Sequence, residues 1–246
     1  QKCLTIARAG QHGWWIPVCM LEASELAINR GDYAEAKALL EEVLIPVHQN
    51  TYQVSSVQAF IALSQIALLE GKYAKAQSLA QKALVAAEDT GYTAAMWWIH
   101  SAIADSALLQ RDYLVAQTYY KNGLAICQEL NDHRGSAFEL SGLGCTACGL
   151  RDFSQARRYF YDALCSAKEV NSLPAILDIV SGTAGLLANM GEPERGIQFA
   201  AYVANQLSLE KITKARNLHL LQSLRTVLAP EIVDRAIQQG ERLEFD

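Results

Sequence analysis

The chain is 246 residues long and 51% apolar, enough to bury a continuous core and too hydrophobic for a disordered segment. Its formal charge of -5, with Lys and Arg scattered, offers no basic surface to a polyanion and argues against nucleic acid as a direct partner. No apolar run approaches the roughly 18 to 20 residues that span a bilayer, and no charged-then-apolar leader opens the chain, so the expected setting is cytoplasmic, without membrane contact.

In chain order, the opening segment Gln1-Lys2-Cys3-Leu4-Thr5-Ile6-Ala7 is in phase with Gln81-Lys82-Ala83-Leu84-Val85-Ala86-Ala87. A chain that begins inside the second helix of a repeat, with its apolar edge uncovered, is expected to be a piece of a longer polypeptide with more repeats or another domain upstream. That edge could also pair two copies into a homodimer. One unit then recurs at 31, 71, 111, 151 and 191: Gly31-Asp32-Tyr33-Ala34-Glu35-Ala36, Gly71-Lys72-Tyr73-Ala74-Lys75-Ala76, Arg111-Asp112-Tyr113-Leu114-Val115-Ala116, Arg151-Asp152-Phe153-Ser154-Gln155-Ala156 and Gly191-Glu192-Pro193-Glu194-Arg195-Gly196. The period is 40 residues without slippage.

Gly31, Gly71 and Gly191 suit a left-handed residue that ends one helix. Asp32, Asp112 and Asp152 can cap the next, Asp32 and Glu35 have capping-box spacing, and Pro193 suits a first helical position. Arg111 and Arg151 break the glycine pattern, which predicts a different geometry for those two turns. Small residues follow at Ala36, Ala76, Ala116, Ala156 and Gly196, and the preceding helix carries Ala27, Ala67, Ala107 and Ala147, so the two helices of each pair can approach closely. Leu39, Leu79, Tyr119, Tyr159 and Phe199, then Leu44, Leu84, Leu124 and Leu164, continue the apolar stripe. Each unit reads as helix A of about 18 residues, a tight turn and helix B of similar length. After about Ser208 the period lapses: residues 211–228 read as an amphipathic helix, Ala229-Pro230 breaks it, and residues 231–239 form a short helix ending at Gly240. The predicted organisation is repeats over 1–208, the first truncated, and capping helices over 209–246.

The phrase glycine, acidic residue, aromatic, two residues, alanine resembles the tetratricopeptide repeat over nearly the whole chain. This implies an all-α, right-handed α-α superhelix of antiparallel helix hairpins with a C-terminal helical cap. A 40-residue period is similar to the longer variant in regulatory regions of large bacterial signalling proteins of the STAND type, such as regulators like the maltose-regulon activator. The tail, through Ala200-Ala201-Tyr202-Val203, Leu221-Gln222-Ser223-Leu224-Arg225 and the closing Gly240-Glu241-Arg242-Leu243, resembles the ending of many such regulators, though it is poorer in alanine. The resemblance implies repeats that sense or bind a partner beside a switch domain.

No catalytic residue, cofactor site or metal site is named by the sequence. Cys145-Thr146-Ala147-Cys148 is the one paired-cysteine motif, without a second pair or nearby histidines, and reads as packing. All six cysteines fit small buried residues of a reducing compartment better than a disulfide framework. Gly142, Gly144 and Gly149 follow no strand and precede no Lys-Ser, so they read as close helix contacts. Histidines 12, 48, 100, 133 and 219 fall at different repeat phases. Arg157 and Arg158 with Arg151 read as a solvated outer face. Trp14-Trp15 and Trp97-Trp98 are pairs about 100° apart on a helix, so one ring of each should lie near a surface.

Repeat phase places Val18, Gln58, Trp98, Phe138 and Asp178 on the inner face, with Leu21, Ile61, Ser101, Ser141 and Ser181, and Glu25, Gln65, Asp105, Cys145 and Gly185. The candidate binding residues are therefore Glu25, Gln58, Gln65, Trp98, Ser101, Asp105, Phe138, Ser141, Asp178 and Ser181. Such a surface suits a peptide or helix with apolar anchors and a basic residue, or a small-molecule effector. Trp98 and Phe138 have a second reading, packing against the next hairpin. Functionally, the sequence points to a protein- or ligand-binding module, with a freestanding scaffold and an enzyme pocket built across repeats as alternatives.

Overall fold

The computed structural model describes residues 15–45, 53–206 and 211–243. The predicted opening helix, Cys3, His12, Trp14 and His48 lie outside them. Among the described residues the α-helices are α1 (Trp15–Arg30), α2 (Tyr33–Val43), α3 (Gln53–Leu69), α4 (Tyr73–Thr90), α5 (Met96–Leu109), α6 (Tyr113–Glu129), α7 (His133–Gly149), α8 (Phe153–Glu169), α9 (Leu173–Asn189), α10 (Pro193–Ala204), α11 (Lys211–Arg225) and α12 (Pro230–Glu241), with a 3-10 turn at Thr93–Ala95 and no strand. The fold is all-α and built of helix hairpins, as an α-solenoid is. No described helix is long and apolar enough to cross a membrane. Contacts divide the chain into two compact units, Gln1–Ser106 and Ala107–Asp246.

In the first unit α1 packs on α2 and α3 on α4. Met20, Ile28, Leu40, Val43 and Ile66 form the core between α1, α2 and α3. In the second unit α7 packs on α6, α8 and α9, and α9 on α10. Its core gathers Cys148, Phe160, Ile179 and Leu186 around the small residues Ala147, Ala156, Ala163 and Ala175. The terminal helices α11 and α12 pack on α10, and α11 also on α9. Leu221, Leu224, Val233 and Ala236 bury their apolar sides there against Ala184, Ile197 and Ala200.

The helix A to helix B turns all take one geometry. The left-handed residue has φ 80° at Gly31, 74° at Gly71 and 93° at Gly191, and 63° at both Arg111 and Arg151. In each, the next N–H reaches back five residues: Asp32 to Ala27 O at 2.9 Å, Asp112 to Ala107 O at 2.9 Å, Asp152 to Ala147 O at 2.9 Å. The expected departure at Arg111 and Arg151 is therefore wrong, because these backbone bonds impose the left-handed residue whatever its side chain. Asp32, Asp112 and Asp152 cap the following helices, accepting from Glu35 N at 3.0 Å, Val115 N at 3.3 Å and Gln155 N at 3.0 Å. The capping box at Asp32 is only half formed. The Asp32 N–H is already committed to Ala27 O, and the Glu35 carboxylate accepts from Arg30 at 2.7 Å instead.

The small columns sit at helix contacts as expected: Ala27, Ala36, Ala76, Ala107, Ala116 and Ala156 have no exposed surface. The larger stripe packs against the core, Leu39, Leu79, Tyr159 and Phe199 among its partly buried side chains. The buried B-helix column runs through Leu40, Ala80, Tyr120, Phe160 and Ala200, with Leu39, Leu79, Tyr119, Tyr159 and Phe199 half-buried beside it. Position 40 lies four residues from Ala36 and so on the same face, while 39 is rotated off it. The Gly142, Gly144 and Gly149 contacts are ring contacts. A Cβ there would meet the Tyr120, Phe160 and Tyr113 rings at 2.3, 2.6 and 2.2 Å respectively.

Candidate functional site

In the first unit, Glu25 on α1 and Gln58 on α3 are exposed and Gln65 is half-buried. On α5, Trp98 is 38% exposed and Trp97 only 6%, the two rings stacked with centroids 4.1 Å apart at 26°. One ring meets the core and its neighbour the surface, as the helical offset requires. Ser101 is half-buried and Asp105 buried one and two turns along the same face as Trp98.

In the second unit the inner-face residues converge. Phe138 on α7 packs against the core of α7 to α9, with the Arg134 guanidinium 5.9 Å above its ring. Ser141, one turn on, is fully buried and donates to Asp178 Oδ2 at 2.7 Å. Asp178 on α9 is itself 1% exposed. Its other oxygen accepts from the Thr213 hydroxyl at 2.5 Å and from the Arg216 guanidinium, both on α11. One turn further, Ser181 donates to Asn217 Oδ1 at 3.1 Å, and Asn217 Nδ2 donates to Ala200 O at 2.8 Å. A carboxylate this deep is tolerated because a cation and two hydroxyls surround it, and the same bonds hold α11 to α9.

Beside this polar ladder lies a cavity of about 450 Å³. It is lined by α7 and α9 at Cys145, Cys148, Gly182 and Gly185 and by α11 at Arg216, His219 and Leu220. Residues of the Leu108 to Tyr113 turn, the turn residue Arg151 and Asn189 complete the lining. Asp178 and Ser181, both picked out by repeat phase, line it. Arg111, Tyr113, Arg151, Asn189, Arg216 and His219 were not picked out; the break in the glycine pattern at 111 and 151 was the signal available for two of them. Arg151, Arg157 and Arg158 are all exposed, as expected of a solvated face, and of the three Arg151 alone lines the cavity.

Asp178 is the cavity's carboxylate, and Arg216 already neutralises it. The cavity wall carries Arg111 and Arg151 as well, neither in an ion pair with a carboxylate among the described residues. Holding an L residue in the left-handed region costs roughly 1–2 kcal/mol relative to glycine. Among the described residues the other non-glycine residues with positive φ are Asn131 and Asn171, the residue type that tolerates it best. Arg111 and Arg151 by contrast are long charged side chains, and both are exposed.

The cysteine pair faces different surroundings. Burial pushes the Cys148 thiol well above its ordinary range, and neighbouring Cys145 adds to that. A thiol held protonated is a poor nucleophile and a poor metal ligand. Among the described residues no group of three or more His, Cys, Asp or Glu could hold a metal ion. One buried charge escaped the sequence reading altogether: Glu139 on α7 has no exposed surface and fits because Gly123 on α6 leaves it room, a Cβ there meeting its carboxylate at 2.6 Å.

The class these features define is the all-α helical-repeat fold. No protein-family model and no curated protein matches the sequence. Among solved structures the chain is similar to BtubC (BKLC) from P. vanneervenii, at 14% identity and a TM-score of 0.55, over 92% of this chain and 90% of that one. That likeness concerns the fold alone.

Proposed function

We propose that the chain is a tetratricopeptide-type binding module, the ligand-sensing or protein-interaction region of a larger cytoplasmic signalling or transcription-regulating protein of bacteria. The observation that carries this reading is the cavity of about 450 Å³ at the inner face of the second unit, a size suited to a small molecule or a side-chain anchor. Its walls mix apolar groups with a few fixed polar ones, which is what orientation and selectivity in a binding site need. A ligand seated there touches three repeats and the terminal helix α11 together. Its differential affinity for arrangements of α9 and α11 would be the switch, passed on to the rest of the protein.

Gly185 provides the test. It lines the cavity, and a Cβ there would meet nothing nearer than Leu220 Cδ2 at 3.9 Å. Gly185→Phe should therefore fill the space while leaving the helix intact. Thermal melting against a panel of metabolites and peptides is expected to find a ligand that stabilises the wild type and not the filled variant. A ligand that stabilises both equally would place binding elsewhere, on the Trp98, Ser101 and Asp105 face of α5 for instance, and Trp98→Ala would then decide.

A further inference from the structure

Building on that binding reading, we propose that the cavity takes a small organic anion, its carboxylate or phosphate group held by the guanidiniums of Arg111 and Arg151. Five turns share one backbone geometry, three with glycine and two with arginine at the left-handed residue. The two arginine turns are the ones whose left-handed residue lines the cavity. Strain kept in a position where glycine serves elsewhere in the same chain marks a side chain retained for what it does.

Charge points the same way. Three arginines line the cavity against one carboxylate, Asp178, which Arg216 pairs. Two guanidiniums are thus in surplus within a chain of net charge -5. The acidic neighbours Asp112 and Asp152 keep their charge as helix caps, accepting from Val115 N and Gln155 N, but neither lines the cavity. Guanidiniums recognise oxyanions through paired N–H donors, and a concave site concentrates their field. Leu109, Leu220 and Tyr113 supply apolar wall for the body of the ligand, and Ser181 and Asn189 supply further polar contacts. The site is an open cleft of about 450 Å³, a volume that suits a small molecule.

The test is calorimetric titration of the chain with inorganic phosphate, with citrate and with neutral glycerol, at ionic strength held constant with sodium chloride. Wild type, Arg111→Gly, Arg151→Gly, the double variant and Gly185→Phe are compared, each melted without ligand as well. We expect phosphate or citrate to bind and glycerol not to, the two anions reporting which head group is preferred. The double variant should bind at least roughly tenfold more weakly, as the loss of charge-assisted hydrogen bonds implies. Its melting temperature without ligand should be equal to the wild-type value or higher, because glycine suits the turn. Anion binding that survives in the double variant, or a melting temperature that falls in it, would overturn the proposal. So would binding confined to acidic peptides. A neutral ligand blocked by Gly185→Phe but indifferent to both arginine replacements would overturn the anion proposal and leave the binding module standing.

Discussion

The inner-face positions of α3 and α9 carry the same repeat phase and meet opposite fates. On α3, Gln58 is exposed; on α9, its counterpart Asp178 lies buried, bonded to Ser141, Thr213 and Arg216. A polar residue at one repeat position is therefore solvated where nothing covers it and becomes an anchor where a terminal helix does. The difference lies in the neighbour, and the residue type adapts: a long amide tolerates water, whereas a short carboxylate suits a cation brought by the next element.

The largest expected effect comes from removing that anchor. Asp178→Ala should destabilise the second unit by about 3–5 kcal/mol in urea unfolding, because it leaves the largely buried Arg216 without its carboxylate. The equivalent Gln58→Ala should change stability by less than about 0.5 kcal/mol. Equal effects from the two would erase the contrast. Next in size is Gly142→Ala, whose Cβ would lie 2.3 Å from the Tyr120 ring; overpacking of this kind costs about 1–3 kcal/mol. Tyr120→Leu in the same chain should recover part of the loss, which a double-mutant cycle would measure.

A smaller effect concerns acid. Burial lowers the pKa of His100 on α5, and Glu88 opposes this only in part, so the ring is neutral in the folded chain below the pH at which it would protonate when unfolded. Its contribution is complete above the unfolded pKa of about 6.5 and is lost as pH falls from there toward the lower folded value. Melting curves between neutral and mildly acidic pH should show this slope flatten in His100→Phe. The smallest effect separates the two kinds of turn. Arg111→Gly should stabilise by about 0.5–1 kcal/mol, strain relief being partly offset by the entropy of glycine, and Gly71→Arg should destabilise by a similar amount.

Much of the fold was legible because backbone demands recur. Residues 31, 71, 111, 151 and 191 each open a turn, Asp32, Asp112 and Asp152 each cap a helix, and the alanines at 36, 76, 116 and 156 each sit at a contact. What escaped depends on pairs. Tyr120 is buried because position 142 is glycine, and Glu139 because 123 is glycine, so neither burial follows from its own residue type. Leu39 packs beside the core and Leu40 within it, and where both positions are leucine the pattern alone does not rank them. The cavity needed the least local information of all: α11 lies outside the period, and its Thr213, Arg216 and His219 meet the repeat only in three dimensions.

Arginine side-chain NMR is the most direct measurement of the central claim, because it reads each guanidinium separately. On titration with citrate or inorganic phosphate, the Nε–Hε resonances of Arg111 and Arg151 should shift and saturate together, while those of Arg157 and Arg158, exposed on α8, should move only as far as ionic strength moves them. Uniform small shifts across all four, or shifts confined to Arg157 and Arg158, would contradict an anion site in the cavity.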